Sequence, residues 1–350
     1  NEFLQAESPE QIYEMIVEFN DQISRFPQSG ISFAFISNLP FIERLLDLLN
    51  QNEDFAAQVL KLIWQLISKD PSFVEKLENN DHFLPFIFQC THQECPFVFS
   101  CIKILSQMSK SSENVYNHVI DGIERIFEAA LRKSRNAKAF FELMITLLKT
   151  QQVDNEHLAR FIGFCNSLFE KYPTNLYLIV LRFCAEALEK NFLCIQPILE
   201  LDLIQRVFDY IQDDNFEDVC SALRYYYIVA MQDIENETYL QLIKLVFNET
   251  DMEQTIIPFT KELSYSEGTR SPGYRLLNRL LFINENLDID VTQHIYGTIF
   301  IEIASQSLQE ECEYKNKENF LHLFSLLVKK SNSECIYQNK DRLIIPLQLL

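Results

Sequence analysis

Six glycines and one tryptophan stand in 350 residues, and no stretch alternates apolar and polar side chains over the length of a strand. Without that period-two pattern no half-buried sheet is expected, and so little glycine leaves room for only short joints. No apolar run approaches the ~20 residues of a membrane-crossing helix, and the first residues carry no secretory leader pattern. Also missing are a G-x-S-x-G elbow, a glycine-rich phosphate loop and an H-E-x-x-H helix, so the common nucleophilic, phosphoryl-transfer and zinc-hydrolase chemistries have no anchor. What is present is 47% hydrophobic residues, 29 of them Phe. Most of the prolines sit where helices would start or stop. The expected fold class is all-α.

Positive charge is short as well: 30 Lys and Arg against 50 Asp and Glu, a net charge of −20. Phosphate backbones would be repelled, so no nucleic acid is expected as partner. A basic peptide or basic protein surface fits better, although acidity also serves simply to keep a Phe-rich chain in solution. Nine cysteines lie scattered on apolar faces without a compact framework. They read as reduced thiols packed as small hydrophobes, which points to a cytoplasmic or nuclear protein and leaves the sequons at Asn236 and Asn248 unused.

The organising stretch runs from Asn38 to Ser109. A Leu-Pro at 39–40 opens a short apolar helix, a longer helix follows from Asp54, and the pair returns with Leu84-Pro85, 45 residues on. Polar positions on the two long helices are few. Gln58, Lys61, Gln65 and Ser68 on one map onto Ser100, Lys103, Gln107 and Lys110 on the other with a constant shift of 42. Offsets of three and four place each set on one narrow line. A helix apolar on both flanks with one thin polar seam is buried by neighbours on either side. Stacked copies would leave only the seams in water, as in a helical solenoid. The marker residues Lys61, Lys103, Glu142, Arg182 and Arg224 continue the series with spacings of 42, 39, 40 and 42.

Before this stretch, Ser8-Pro9-Glu10 starts a helix to about Arg25 that reads as an end cap. After Gln232 the register slips, around a loop at 264–273 that holds two of the six glycines. Helical patterning resumes at Val291 and Glu318. The apolar end, Arg342 to Leu350, reads as the edge of a longer chain or a surface covered by something else.

The order of short helix, Leu-Pro helix and longer helix at about 40 residues resembles the armadillo-repeat family. The matching string is FVEKLENNDHFLPFIFQCTHQECPFVFSCIKILSQMSK, with Leu39 to Ser68 as a second copy. The resemblance implies a right-handed α-solenoid whose third helices line a concave groove, with a polar amide near each helix end pairing with a bound peptide. Gln65 and Gln107 stand at that place, whereas Thr146, Glu186 and Ile228 follow, so the amide ladder is not continued. The Trp-Asn pairs of nuclear-import adaptors are absent, since the one tryptophan, Trp64, precedes Gln65.

Other constellations are weighed against plainer readings. Asp213-Asp-Asn-Phe-Glu-Asp218 resembles the acidic element of helical terpenoid synthases, which chelates magnesium, but carboxylates are also favoured at a helix start. Cys90, His92, Cys95 and Cys101 have zinc-like spacing, while a loop with ordinary thiols explains them equally. Arg132-Lys-Ser-Arg135 with Lys138 is the one dense basic patch, either a solvated helix end or a contact for an acidic partner. Arg270-Ser271-Pro272 could carry a phosphate switch. Tyr225, Tyr226 and Tyr227 cannot all face the core, so at least one ring should reach a groove or an edge.

The expectation is therefore one armadillo-like superhelix over 1–350: a cap at 1–37, regular repeats at 38–232 and divergent repeats at 233–350. It is not expected to be an enzyme, needs no cofactor or metal, and takes no small-molecule substrate, nucleic acid or membrane. It would bind a protein or peptide along its concave face through Lys61, Gln65, Lys103, Gln107, Glu142, Arg182, Glu186 and Arg224. One alternative is the regulatory armadillo region of a formin-like cytoskeletal factor. The other is a metal-dependent helical enzyme using Asp213, Asp214, Glu217 and Asp218.

Overall fold

The computed structural model describes residues 2–25, 39–49, 53–92, 95–151, 153–190, 203–211, 215–235, 237–248, 252–258, 271–296 and 314–347. Among them every regular element is helical and no strand occurs, as the missing period-two pattern predicts. None of these helices is long and apolar enough to cross a membrane. Loop residues 264–270 and the pair Asp213 and Asp214 lie outside the described residues. Two compact units divide the chain, Asn1–Ile179 and Val180–Leu350.

The first unit runs through α1 (Glu2–Gln5), α2 (Pro9–Arg25), α3 (Leu39–Leu48), α4 (Glu53–Lys69), α5 (Ser72–Glu78), α6 (Phe83–His92), α7 (Val98–Met108), α8 (Glu113–Asp121), α9 (Ile123–Ala130), α10 (Ser134–Thr150) and α11 (Asn155–Lys171), and into α12 (Pro173–Lys190). Helices α2, α4, α7 and α10 form a ladder in which each packs on the next. A second layer sets α6 against α7, α9 against α10, and α6 against α9. The helix read as an end cap, α2, is thus the first rung of the ladder.

Local chemistry sets the helix starts. Ser112 accepts the Val115 N–H at 3.1 Å to open α8, and Asp154 accepts the His157 N–H at 2.9 Å to open α11. Along α7, Val98, Cys101, Ile102, Ile104, Leu105 and Met108 are each at most 3% exposed. Each large aliphatic side chain buried in this way contributes about 1.5–3 kcal/mol. Only Phe99, Ser100, Lys103 and Gln107 among the residues of α7 reach the surface, all half-buried. That is the seam expected from the spacing, with one aromatic added.

The second unit takes in residues 180–190 of α12, then α13 (Leu203–Phe208), α14 (Phe216–Ala230), α15 (Glu237–Val246), α16 (Ser271–Phe282), α17 (Val291–Tyr296), α18 (Tyr314–Lys330), α19 (Ser333–Gln338) and α20 (Lys340–Leu347). A π-helical turn at Met252–Ile256 and a 3-10 turn at Asn284–Asn286 interrupt it. Here α14, α16 and α18 form the ladder. Ser271-Pro272-Gly273, expected to end a loop, instead makes the first turn of α16, where proline's missing N–H costs nothing.

Cross-helix hydrogen bonds carry the repeat length directly. In the first unit Asn20 Nδ2 donates to the Gln58 carbonyl (3.0 Å), Gln65 Nε2 to Ser24 Oγ (2.8 Å) and Tyr172 OH to the Leu131 carbonyl (2.9 Å). These partners lie 38, 41 and 41 residues apart. In the second unit Arg275 to Tyr227 spans 48 and Arg279 to Ala230 spans 49, before Asn278 to Asn319 returns to 41. The bonds between α14 and α16 thus join partners further apart in sequence than those of the first unit, whose bonds from Lys69 to Ile23 and Asn114 to Glu78 span 46 and 36.

One capping device recurs. The last carbonyls of a helix lack intrahelical partners and attract cations. Arg44 donates to the Leu4 carbonyl just past the middle of α1, Lys69 to Ile23 in α2, Lys171 to Leu131 after α9, and Arg279 to Ala230 and Gln232 at the end of α14. Each cation comes from 40 to 49 residues further on.

Candidate functional site

The site is built on the seam of the first unit's ladder. A groove of about 580 Å³ lies over α4 and α7, with Arg135 reaching in from the first turn of α10. Lys61 is exposed on its wall, and Trp64, Phe99, Ser100 and Lys103 are half-buried in it. Lys61 and Trp64 share a face because they are three residues apart, and Lys103 neighbours both Ser100, three residues before it, and Phe99, four before it.

The cations rest on aromatic rings. Lys103 Nζ is 4.8 Å from the centroid of Trp64 and 5.2 Å from that of Phe99, and the Arg135 guanidinium is 3.8 Å from Phe99. Such contacts are worth about 0.5–1 kcal/mol at exposed sites, more when water is excluded. Trp64, Lys103, Phe99 and Arg135 thus alternate ring and charge across the groove. Among the described residues no carboxylate lies within ion-pairing distance of Lys61, Lys103 or Arg135. Glu53 and Asp54, at the first turn of α4, stand at the groove's edge.

The neighbouring groove, over α2 and α4, has about 540 Å³ and the opposite character. Glu14, Glu18 and Asp21 line it beside Tyr13 and Val17, and it shares Gln58 and Lys61 with the cationic groove. Asp21 is occupied by Arg25 at 2.9 Å.

The other residues expected at the site are placed as follows. Gln107 is half-buried and accepts from Lys110 Nζ at 2.9 Å. Glu142 is half-buried, and its charge together with that of Lys149 acts on Lys110, whose pKa is lowered mainly by desolvation. Gln65 is only 9% exposed and spends its amide on Ser24, so it joins α2 to α4 instead of facing solvent. Thr146 is buried too: its hydroxyl hydrogen goes to the Glu142 carbonyl and its oxygen accepts from Ser106 at 2.9 Å. In the second unit Arg182 is exposed, and Arg224 is exposed and pairs at 3.1 Å with Glu186, which is 2% exposed. Gln65 and Glu186 therefore serve packing between helices. Trp64, Phe99 and Arg135 belong to the groove and were not among the residues expected there; aromatics at helical spacing read as core, and Arg135 as part of a basic patch that was either a helix end or a contact for an acidic partner.

The chemistry-bearing alternatives fare as follows. Asn215 Oδ1 accepts the N–H groups of Glu217 and Asp218, so the acidic run opens α14. Glu217 is exposed while Asp218 is fully buried, and the two do not face one solvent site. Cys90, Cys95 and Cys101 do come together. A hydrogen bond from Cys101, with a further one from Cys95, lowers the Cys90 thiol to about 7, and burial pushes Cys95 up to about 11. No group of three His, Cys, Asp or Glu able to hold a metal ion occurs among the described residues, though the His92 side chain lies outside them. Of the three tyrosines, Tyr225 and Tyr226 are buried and Tyr227 reaches a groove, as expected.

No family model matches the sequence, and no curated protein does. Among solved structures, the crystal structure of an engineered protein superposes with a TM-score of 0.62 at 11% identity, covering 97% of this chain and 80% of the other. At that identity the likeness concerns the fold alone.

Proposed function

We propose that this protein is a non-enzymatic scaffold that holds a peptide segment of a partner protein against the seam of its helical ladder. The armadillo-like character of the repeats, the right-handed sense of their stacking and a cytoplasmic or nuclear location are part of that reading. The observation that carries it is the groove over α4 and α7, where among the described residues Lys61, Lys103 and Arg135 have no carboxylate partner and stand beside Trp64 and Phe99. Rings and unpaired cations at a groove are the kind of group that dominates protein–protein contacts. Extended or helical peptides commonly dock on such pre-formed surfaces.

A random dodecapeptide library displayed on phage tests this when panned against the whole chain. Ser100→Trp fills the groove from a half-exposed position without touching the buried face of α7. Enriched peptides should lose at least tenfold in affinity on Ser100→Trp and nothing on Glu128→Lys, which changes the exposed side of α9. Enrichment of no peptide, or only of peptides indifferent to Ser100→Trp, sinks the reading.

A further inference from the structure

Taking the groove to be a docking surface, we infer that its occupant is a charge-segregated peptide, with a basic residue over α2 and α4 and acidic residues over α7 and α10. The ladder of the first unit is not electrically uniform. In the groove over α2 and α4 Glu18 accepts a hydrogen bond from Gln22 Nε2 at 2.8 Å, but among the described residues neither it nor Glu14 has a cation partner, just as Lys103 and Arg135 have no carboxylate partner in the next. Lys61 lies where the two meet.

The unpaired cations are the sharper half of this observation. The chain has 50 acidic side chains for 30 basic ones, so a cation left alone is the less expected case. Three stand together here, and two are held over aromatic rings. The rings fix the charges in place and keep their outer sides open, so a carboxylate arriving from solvent finds them already positioned. Glu53 and Asp54 share the rim without reaching the three cations, and they close the same groove to a uniformly acidic ligand of any length.

Geometry gives the spacing. Packed helices lie about 8–10 Å apart. An extended chain advances about 3.3–3.6 Å per residue, so one rung corresponds to about three residues. The basic and acidic residues of the occupant should therefore stand about three to six positions apart, with an apolar side chain between them to cover Val17 or Trp64, both in the grooves' walls.

The test pans the same dodecapeptide library on three forms of the whole chain: wild type, Lys103→Glu with Arg135→Glu, and Glu14→Lys with Glu18→Lys. Peptides selected on wild type and lost on Ser100→Trp should carry the basic-to-acidic spacing. They should weaken at least tenfold on each charge reversal, and bind less tightly as salt is raised. Neutral Lys103→Gln with Arg135→Gln should weaken them by an intermediate factor, which separates a lost contact from a disturbed fold. Groove-dependent peptides that change less than twofold on both reversals overturn this inference and leave the docking reading standing. So do groove-dependent peptides that are acidic throughout and indifferent to Glu14→Lys with Glu18→Lys. If Ser100→Trp affects no selected peptide, the docking reading falls first and this inference with it.

Discussion

The two units each build a groove from the same ingredients and put them to different use. In the first, Lys103 and Arg135 lie over Trp64 and Phe99 and make no hydrogen bond to protein among the described residues. In the second, a groove of about 600 Å³ is lined by Tyr227, Phe282, Arg275 and Arg279. Arg275 lies 4.9 Å from the Tyr227 ring and Arg279 5.3 Å from that of Phe282. Yet Arg275 donates to Tyr227 OH at 3.2 Å, and Arg279 donates to the Ala230 carbonyl at 2.8 Å. A cation on a ring is thus not by itself a binding feature. What separates the grooves is whether the guanidinium or ammonium hydrogens are already spent on the protein.

That comparison can be broken by substitution. Arg279→Ala should show the largest effect, a loss of about 2 kcal/mol in denaturant unfolding, because hydrogen bonds to charged groups are worth about 1.5–3 kcal/mol and the end of α14 loses its cap. Arg224→Ala should cost about 1 kcal/mol, because the buried Glu186 loses an ionic partner that is itself half in water. Tyr227→Phe should cost about 0.5 kcal/mol, since it removes one exposed acceptor and keeps the ring. Arg135→Ala and Lys103→Ala should each stay within about 0.5 kcal/mol of wild type, the range of surface changes, while weakening the selected peptides by less than either charge reversal does. A large stability loss at Arg135 would erase the distinction between the two grooves.

Acid should not discriminate between the units. Asp154 in the first is held below the usual carboxylate range by the N–H and then the ring nitrogen of His157, and Glu285 in the second by Lys330. A carboxylate whose pKa is lower folded than unfolded stabilises above the unfolded value and loses that contribution as pH falls through the folded one. Both contributions should be intact at neutral pH and fade below about pH 4. Circular dichroism of Asp154→Asn and Glu285→Gln across an acid titration should show each change flattening the decline slightly.

How much of this was legible in the sequence follows from where each signal resides. Lys61 and Lys103 were visible because seam positions repeat at three and four within a helix and at 42 between helices. Gln65 occupies the same line and is buried all the same, because α2 covers that turn of α4. Side-chain spacing tells which face a residue is on, and the neighbouring helix decides how far along that face water extends. Trp64 and Phe99 were hidden by their chemistry, since an aromatic at helical spacing is core in most helices. In the divergent region α14 and α16 pack on one another although Arg279 and Ala230 are 49 residues apart, a pairing that local patterning does not reveal. In the acidic run at 213–218 the free N–H groups of Glu217 and Asp218 go to Asn215, an amide that spacing among carboxylates did not single out, while Asp213 and Asp214 lie outside the described residues.

The borrowed caps have a practical corollary. Because Arg44, Lys69, Lys171 and Arg279 finish helices that were completed forty or more residues earlier, these four helices are not whole where their own last turn stops. A truncation placed at a loop would sever a helix from the cation that closes it. Fragments meant to stand alone should run one basic residue into the following module, and insertions between modules will be felt upstream, at an end already made.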